Sequence, residues 1–86
     1  MATKVIKFYA TWCGPCKAYA PIFDKVKEEI ADKAEFVDVN IDKDTEGLAA
    51  TYKIMSVPST VVINDDETKK EVGLLSETQL KELILF

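Results

Sequence analysis

Near the start of the chain, Val5-Ile6-Lys7-Phe8-Tyr9 is apolar except for one lysine. A short run rich in β-branched and aromatic residues predicts a buried strand. The period then changes. Tyr19, Phe23, Val26 and Ile30 recur at spacings of four, three and four, with Lys25, Lys27, Glu28 and Glu29 on the other side. That is the stripe of an amphipathic helix. Pro15 suits its first turn, where a missing N–H costs nothing, whereas Pro21 falls inside it and should remove a hydrogen bond and kink it. Glu35 to Ile41 alternates and predicts a second strand, with Phe36 opposite in phase to Val37. A short helix through Leu48, Ala49 and Tyr52 follows, capped by Asp44 or Thr45. Ser59 to Ile63 and Lys69 to Val72 predict two more strands, joined through the polar Asn64-Asp65-Asp66-Glu67 turn as an antiparallel hairpin. In the last helix, Ser76 and Gln79 have capping-box spacing, and Leu75 and Leu80 are placed as a hydrophobic staple. Leu80, Leu83 and Ile84 supply its buried face.

The predicted order is β-α-β-α-β-β-α. A long helix between the first two strands demands a parallel crossover, normally right-handed, while the last two strands form a hairpin. An α/β sandwich with a four-stranded mixed sheet flanked by three helices closes these elements. Residues 1–86 are expected to form one domain, since no repeat, linker or low-complexity tract interrupts them.

Composition narrows the chemistry. The chain has 86 residues, eleven basic ones (all lysine) against fifteen acidic ones, and a formal charge of −4. A net acidic chain without arginine is a poor partner for nucleic acid or an anionic membrane. Histidine is absent, which removes Ser/His and Cys/His dyads and any zinc site needing imidazole. No stretch approaches the ~20 apolar residues of a membrane span, and residues 1–8 lack the apolar run of a signal peptide. The expected compartment is the cytosol.

Two cysteines remain, Cys13 and Cys16, three positions apart. Two thiolates cannot close a four-ligand zinc site within one chain, and one bridge across so short a loop staples nothing distant. A metal shared between two chains and a purely structural disulfide are the alternatives. The position of the pair, between a strand and a helix, favours redox chemistry. Unpaired N–H groups and the partial positive charge at a helix N-terminus stabilise a thiolate over a thiol. Cys13, at the exposed end, would attack a substrate disulfide. Cys16, nearly one turn on and more sheltered, would resolve the mixed disulfide.

The stretch Ala10-Thr11-Trp12-Cys13-Gly14-Pro15-Cys16-Lys17 resembles the active site of thioredoxins. Pro21 matches their kinking proline, Val57-Pro58 the segment before the third strand, and Gly73 the glycine that approaches the active site. The resemblance runs from about Val5 to the C-terminus. It implies a thioredoxin fold in which Pro58 is a cis proline facing the Cys13–Cys16 pair. Val57 would then offer its backbone to an extended substrate strand, a role that a proline merely starting an edge strand would not create. Trp12, Gly14, Pro15, Val57, Pro58 and Gly73 are the implied substrate-binding positions, with Met55 and Ser56 on the rim. Core packing is the other reading of Trp12.

Departures from the family pattern matter as well. The strand before the active site begins near Lys4, a minimal fold without the family's usual N-terminal strand and helix. Tyr9 stands where many bacterial members have another tryptophan, and Ser59 where threonine is commoner. Many thioredoxins place a buried aspartate at the position of Lys7, often paired with a lysine at the position of Asp38. Here the charges are exchanged. On neighbouring parallel strands they would form a partly buried pair near Cys16, with Asp38 accepting a proton from Cys16 and Lys7 favouring thiolate. Alternatively both point to solvent.

The resemblance implies a reductant of protein disulfides that binds no cofactor and acts as a monomer. A flavin-dependent reductase of the thioredoxin-reductase type, drawing on NADPH, would recycle it. A glutaredoxin-like protein served by glutathione is the rival that a shortened fold suggests. Gly73-Leu74-Leu75-Ser76-Glu77 stands, however, where a Gly-Gly-x-x-Asp glutathione signature is expected. A non-catalytic binding module is the rival from another class, and binding alone does not require two thiols.

Overall fold

A computed structural model describes residues 3–85, so Met1, Ala2 and Phe86 of the expected 1–86 domain lie outside the described residues. The elements are β1 (Thr3–Tyr9), α1 (Gly14–Ile30), β2 (Glu35–Asn40), α2 (Leu48–Thr51), β3 (Ser59–Asn64), β4 (Glu67–Val72) and α3 (Glu77–Leu85), with a 3-10 turn at Ile41–Lys43. The four strands lie in the order β2-β1-β3-β4. β1 runs parallel to β2 and antiparallel to β3, and β3 and β4 form the hairpin. This is the predicted mixed α/β sheet.

Several boundaries shift from the sequence reading, β1 beginning at Thr3 and β3 running on to Asn64. β2 stops at Asn40 rather than Ile41, because the Asn40 side chain accepts the Asp42 amide at 2.9 Å and turns the chain into the 3-10 segment. β4 begins at Glu67 rather than Lys69, since the reversal needs only Asp65 and Asp66; Asp65 takes φ 54°, a conformation that aspartate tolerates. α2 ends at Thr51, leaving Tyr52 as its C-cap. Neither Asp44 nor Thr45 is its N-cap, which is Gly47 at φ 69°; the Asp44 carboxylate instead reaches forward to accept the Leu48 and Ala49 amides at 3.0 and 2.7 Å. α1 continues through Pro21, which leaves the Lys17 carbonyl without its i+4 donor.

Alternation along β1 divides the core. Val5 joins Tyr19, Phe23, Val26 and Ile30 of α1 and Leu80 and Ile84 of α3. Ile6 and Phe8 face the other way, joining Val39 and Val61 beneath the half-buried Leu48, Ala49, Tyr52 and Ile54. Inside the first cluster the Tyr19 hydroxyl bonds Thr60 Oγ1 at 2.7 Å. Burial pushes the Tyr19 phenol up to about 12, a shift that the Thr60 hydrogen bond only partly offsets.

α3 is set by its own sequence. The Ser76 amide donates to Gln79 Oε1 at 2.9 Å and the Gln79 amide to Ser76 Oγ at 3.1 Å, the predicted reciprocal cap. Leu75 and Leu80 pack into one cluster as the staple requires, whereas Leu83 is only partly buried. Lys25 pairs with Glu77 at 3.4 Å and Lys81 with Glu29, tying α3 to α1. The Lys81 hydrogen bond holds the Glu29 carboxyl below its ordinary range and raises Lys81 in turn. Exposed pairs of this kind contribute little to stability.

Candidate active site

β1 ends at Tyr9, and four residues later α1 begins. Cys13 is the N-cap of α1, with extended backbone at φ −91°, and its Sγ accepts the Cys16 amide at 3.2 Å. The sulfur thus occupies the place where a serine or aspartate oxygen would cap the helix, facing its unpaired N–H groups. Pro15 lies in the first turn as predicted. Cys13 and Cys16 are disulfide-bonded, with Cα atoms 5.3 Å apart.

One expectation is corrected. Cys13 is not the exposed member of the pair: it is 5% exposed and Cys16 4%. Val57 packs against the cysteine cluster, with its carbonyl oxygen 3.6 Å from Cys13 Sγ. The disulfide leaves no S–H to donate, so this is a contact here; in the dithiol the same geometry permits an S–H···O bond. The two sulfurs differ in what they face. Cys13 lies against the Val57 side, and Cys16 lines an open cleft of about 440 Å³ behind it, together with Lys7 and Asp38.

The structure gathers the remaining positions around this centre. The Val57–Pro58 bond is cis and Pro58 is buried. Gly73, at φ 98°, donates its amide to the Pro58 carbonyl at 2.8 Å, so the β4 end rests on the proline segment. That φ belongs to the region open chiefly to glycine. Trp12 is 67% exposed rather than packed in the core, and its indole N–H donates to Asp42 at 2.8 Å. A groove of about 440 Å³ separates Trp12 from Met55, Ser56 and Val57, and Met55 is 92% exposed. Gly14 is exposed, with open space where a side chain would begin.

Lys7 and Asp38 are register partners on β1 and β2, and Lys7 Nζ lies 3.7 Å from Asp38 Oδ1. Lys7 is buried at 5% while the Asp38 side chain is half exposed, so the alternative with both in solvent does not hold. Sequence reasoning missed two contributors. Asp42 orients Trp12, and Lys70 Nζ binds the Tyr52 and Lys53 carbonyls at 3.2 and 3.1 Å, anchoring the start of the segment that leads to Val57. Neither lies in a motif; both act through distant partners that only the fold supplies.

The thioredoxin family model matches residues 2–85. The chain belongs to the thioredoxin family. The thioredoxin of Mycoplasma genitalium is 42% identical over 80 residues, spanning 92% of this chain and 76% of that relative. The Bacillus subtilis thioredoxin is 37% identical over 78 residues, spanning 90% and 74%. The X-ray structure of Fasciola hepatica thioredoxin superposes with a TM-score of 0.85 at 35% identity, covering 98% of this chain and 79% of that one. Membership and the paired Cys13 and Cys16 make the chain a thioredoxin-type dithiol–disulfide oxidoreductase, and they favour neither the glutathione-coupled reading nor a non-catalytic module. Among the described residues no side-chain cluster could hold a metal ion, and no helix is long and apolar enough to cross a membrane.

Proposed function

We infer that Cys13 is the nucleophile and Cys16 the resolving thiol in the reduction of protein disulfides. The observation that carries this reading is the Cys13 sulfur at the N-cap of α1, receiving the Cys16 amide at 3.2 Å. An amide and a helix dipole directed at Sγ stabilise the thiolate. That thiolate attacks one sulfur of the substrate disulfide, forms the mixed disulfide and expels the other sulfur as a thiolate. Cys16 then gives its proton to Asp38 and attacks Cys13 Sγ, releasing the second substrate thiol and leaving the Cys13–Cys16 disulfide.

The substrate strand lies between Trp12, Gly14, Pro15 and the Val57–Pro58–Gly73 wall. The Val57 carbonyl, beside Cys13, is placed to pair with its backbone. A flavoprotein reductase of the thioredoxin-reductase type, drawing on NADPH, returns the disulfide to the dithiol. The protein works as a cytoplasmic monomer and electron carrier, with residues 1–86 acting as one domain.

Insulin reduction tests the assignment. Cys13→Ser is expected to abolish it, and Cys16→Ser to accumulate mixed disulfide with substrate. Equal activity of Cys13→Ser and wild type would refute the nucleophile. Recycling by NADPH with thioredoxin reductase should outpace recycling by glutathione. Asp38→Asn should slow the resolving step, and a rate unchanged from pH 6 to 9 removes Asp38 from the mechanism.

A further inference from the structure

Outside the cysteine pair, sulfur occurs in this chain only at Met1, which lies outside the described residues, and at Met55. At 92% exposure, Met55 is the most exposed large apolar side chain among the described residues. Its position gives that exposure meaning. It lines the groove that separates Trp12 from Val57, two residues before the carbonyl that lies 3.6 Å from Cys13 Sγ. The opposite wall is held in place, since Asp42 accepts the Trp12 indole N–H at 2.8 Å. Apolar Ile41, Ala49 and Ile54 complete the groove with Ser56. The two cysteines, 5% and 4% exposed, are joined in the disulfide. An oxidant that reaches this face of the oxidised protein therefore meets the Met55 thioether first.

We propose that Met55 is a reversible oxidation site through which a hydroperoxide weakens substrate docking. This rests on the reading above that substrates dock between Trp12 and Val57, and extends it by making that docking respond to oxidant. The thioether sulfur attacks the O–O bond, which breaks, and one oxygen joins the sulfur as a sulfoxide. Sulfur gives up two electrons, and the hydroperoxide, keeping its proton, leaves as water or an alcohol. A side chain so exposed packs against little, so the added oxygen leaves the fold intact. Its cost falls on the complex, where a substrate must cover a polar S–O group that it does not pair. A sulfoxide reductase restores the thioether, two thiols becoming a disulfide and the oxygen leaving as water.

The test treats the disulfide form with hydrogen peroxide, removes the excess and follows insulin reduction with dithiothreitol as the recycling thiol, so that no reductase docks on the same face. Mass spectrometry of the peptide containing Met55 should show one added oxygen, gained within about twofold of the rate for free methionine. KM for insulin should rise about fivefold while kcat and the urea midpoint stay unchanged. Methionine sulfoxide reductase should restore the original KM. Met55→Leu, which keeps Met1 but lacks this thioether, should show the same KM before and after peroxide. Complete oxidation of Met55 with an unchanged KM overturns the proposal, as does an equal rise in Met55→Leu. Oxidation slower than that of free methionine by about tenfold or more overturns it too, because the sulfur would then be shielded. A fall in kcat together with the urea midpoint also overturns it, since damage to the fold would be the cause. Insulin reduction by Cys13→Ser tests the nucleophile without peroxide, so the two readings fall separately.

Discussion

On the α1/α3 side of the sheet, Tyr19, Phe23, Val26 and Leu80 are fully buried, whereas on the opposite side Leu48, Ala49, Tyr52 and Ile54 are only half-buried over Phe8 and Val61. The difference follows from helix length. α1 spans 17 residues and α3 nine, each with an apolar stripe, while α2 has four residues and no room for one. The thick side fixes α1 and with it the cysteine pair. The thin side carries the chain through Met55 to Val57, whose carbonyl oxygen lies 3.6 Å from Cys13 Sγ. Lower local stability is expected where fewer apolar contacts close over the backbone. The cysteine pair is thus carried by the consolidated side, while Val57, which meets Cys13, packs with the thinner one.

The comparison breaks most readily at the aromatic residues. Phe23→Ala on the thick side should cost about 3–5 kcal/mol in urea unfolding, and Tyr52→Ala on the thin side about 2 kcal/mol. An equal or larger loss for Tyr52 would mean that the two sides are equally consolidated.

A finer test is Tyr19→Phe, which leaves the buried Thr60 hydroxyl without its partner at a cost of about 1–2 kcal/mol. The Tyr19 phenol is raised from 10.0 to about 12 in the folded protein. Its contribution is therefore complete below pH 10 and is lost as pH rises toward 12, because the unfolded chain ionises first. The gap in urea midpoint between wild type and Tyr19→Phe should accordingly narrow from pH 9 to pH 11. A constant gap would show that the hydroxyl ionises as freely in the fold as outside it.

Asp44→Ala should have the smallest effect, about 1 kcal/mol, confined to α2. Hydrogen exchange should quicken at the Leu48 and Ala49 amides and leave α1 unchanged. Faster exchange in α1 as well would show that the two sides unfold together.

Much of this architecture is legible along the chain. The Tyr19–Ile30 stripe and the Ser76–Gln79 box each rest on contacts within a few residues, and each forms as read. Strand ends were less legible. Asn40 ends β2 one residue early through its own side chain, and a two-residue reversal lets β4 begin at Glu67. Burial of Lys7 was open for a related reason: an apolar run buried on both faces has no alternation from which to read the direction of one lysine.

By itself the sequence determined the order of elements, the family, and a cysteine pair at the start of a helix, because all three reside in local spacing. Tertiary structure decided what surrounds that pair. Val57 lies 44 residues from Cys13 and meets it only through the placement of the β3 approach, and Trp12 finds Asp42 across 30 residues. Cys13 is buried, contrary to its reading as an exposed thiol, and Val57 packs against it. Lys7 meets Asp38 because the parallel register of β1 and β2 brings them side by side. Local spacing sets which groups are available; register and packing set the distances over which charge and sulfur act.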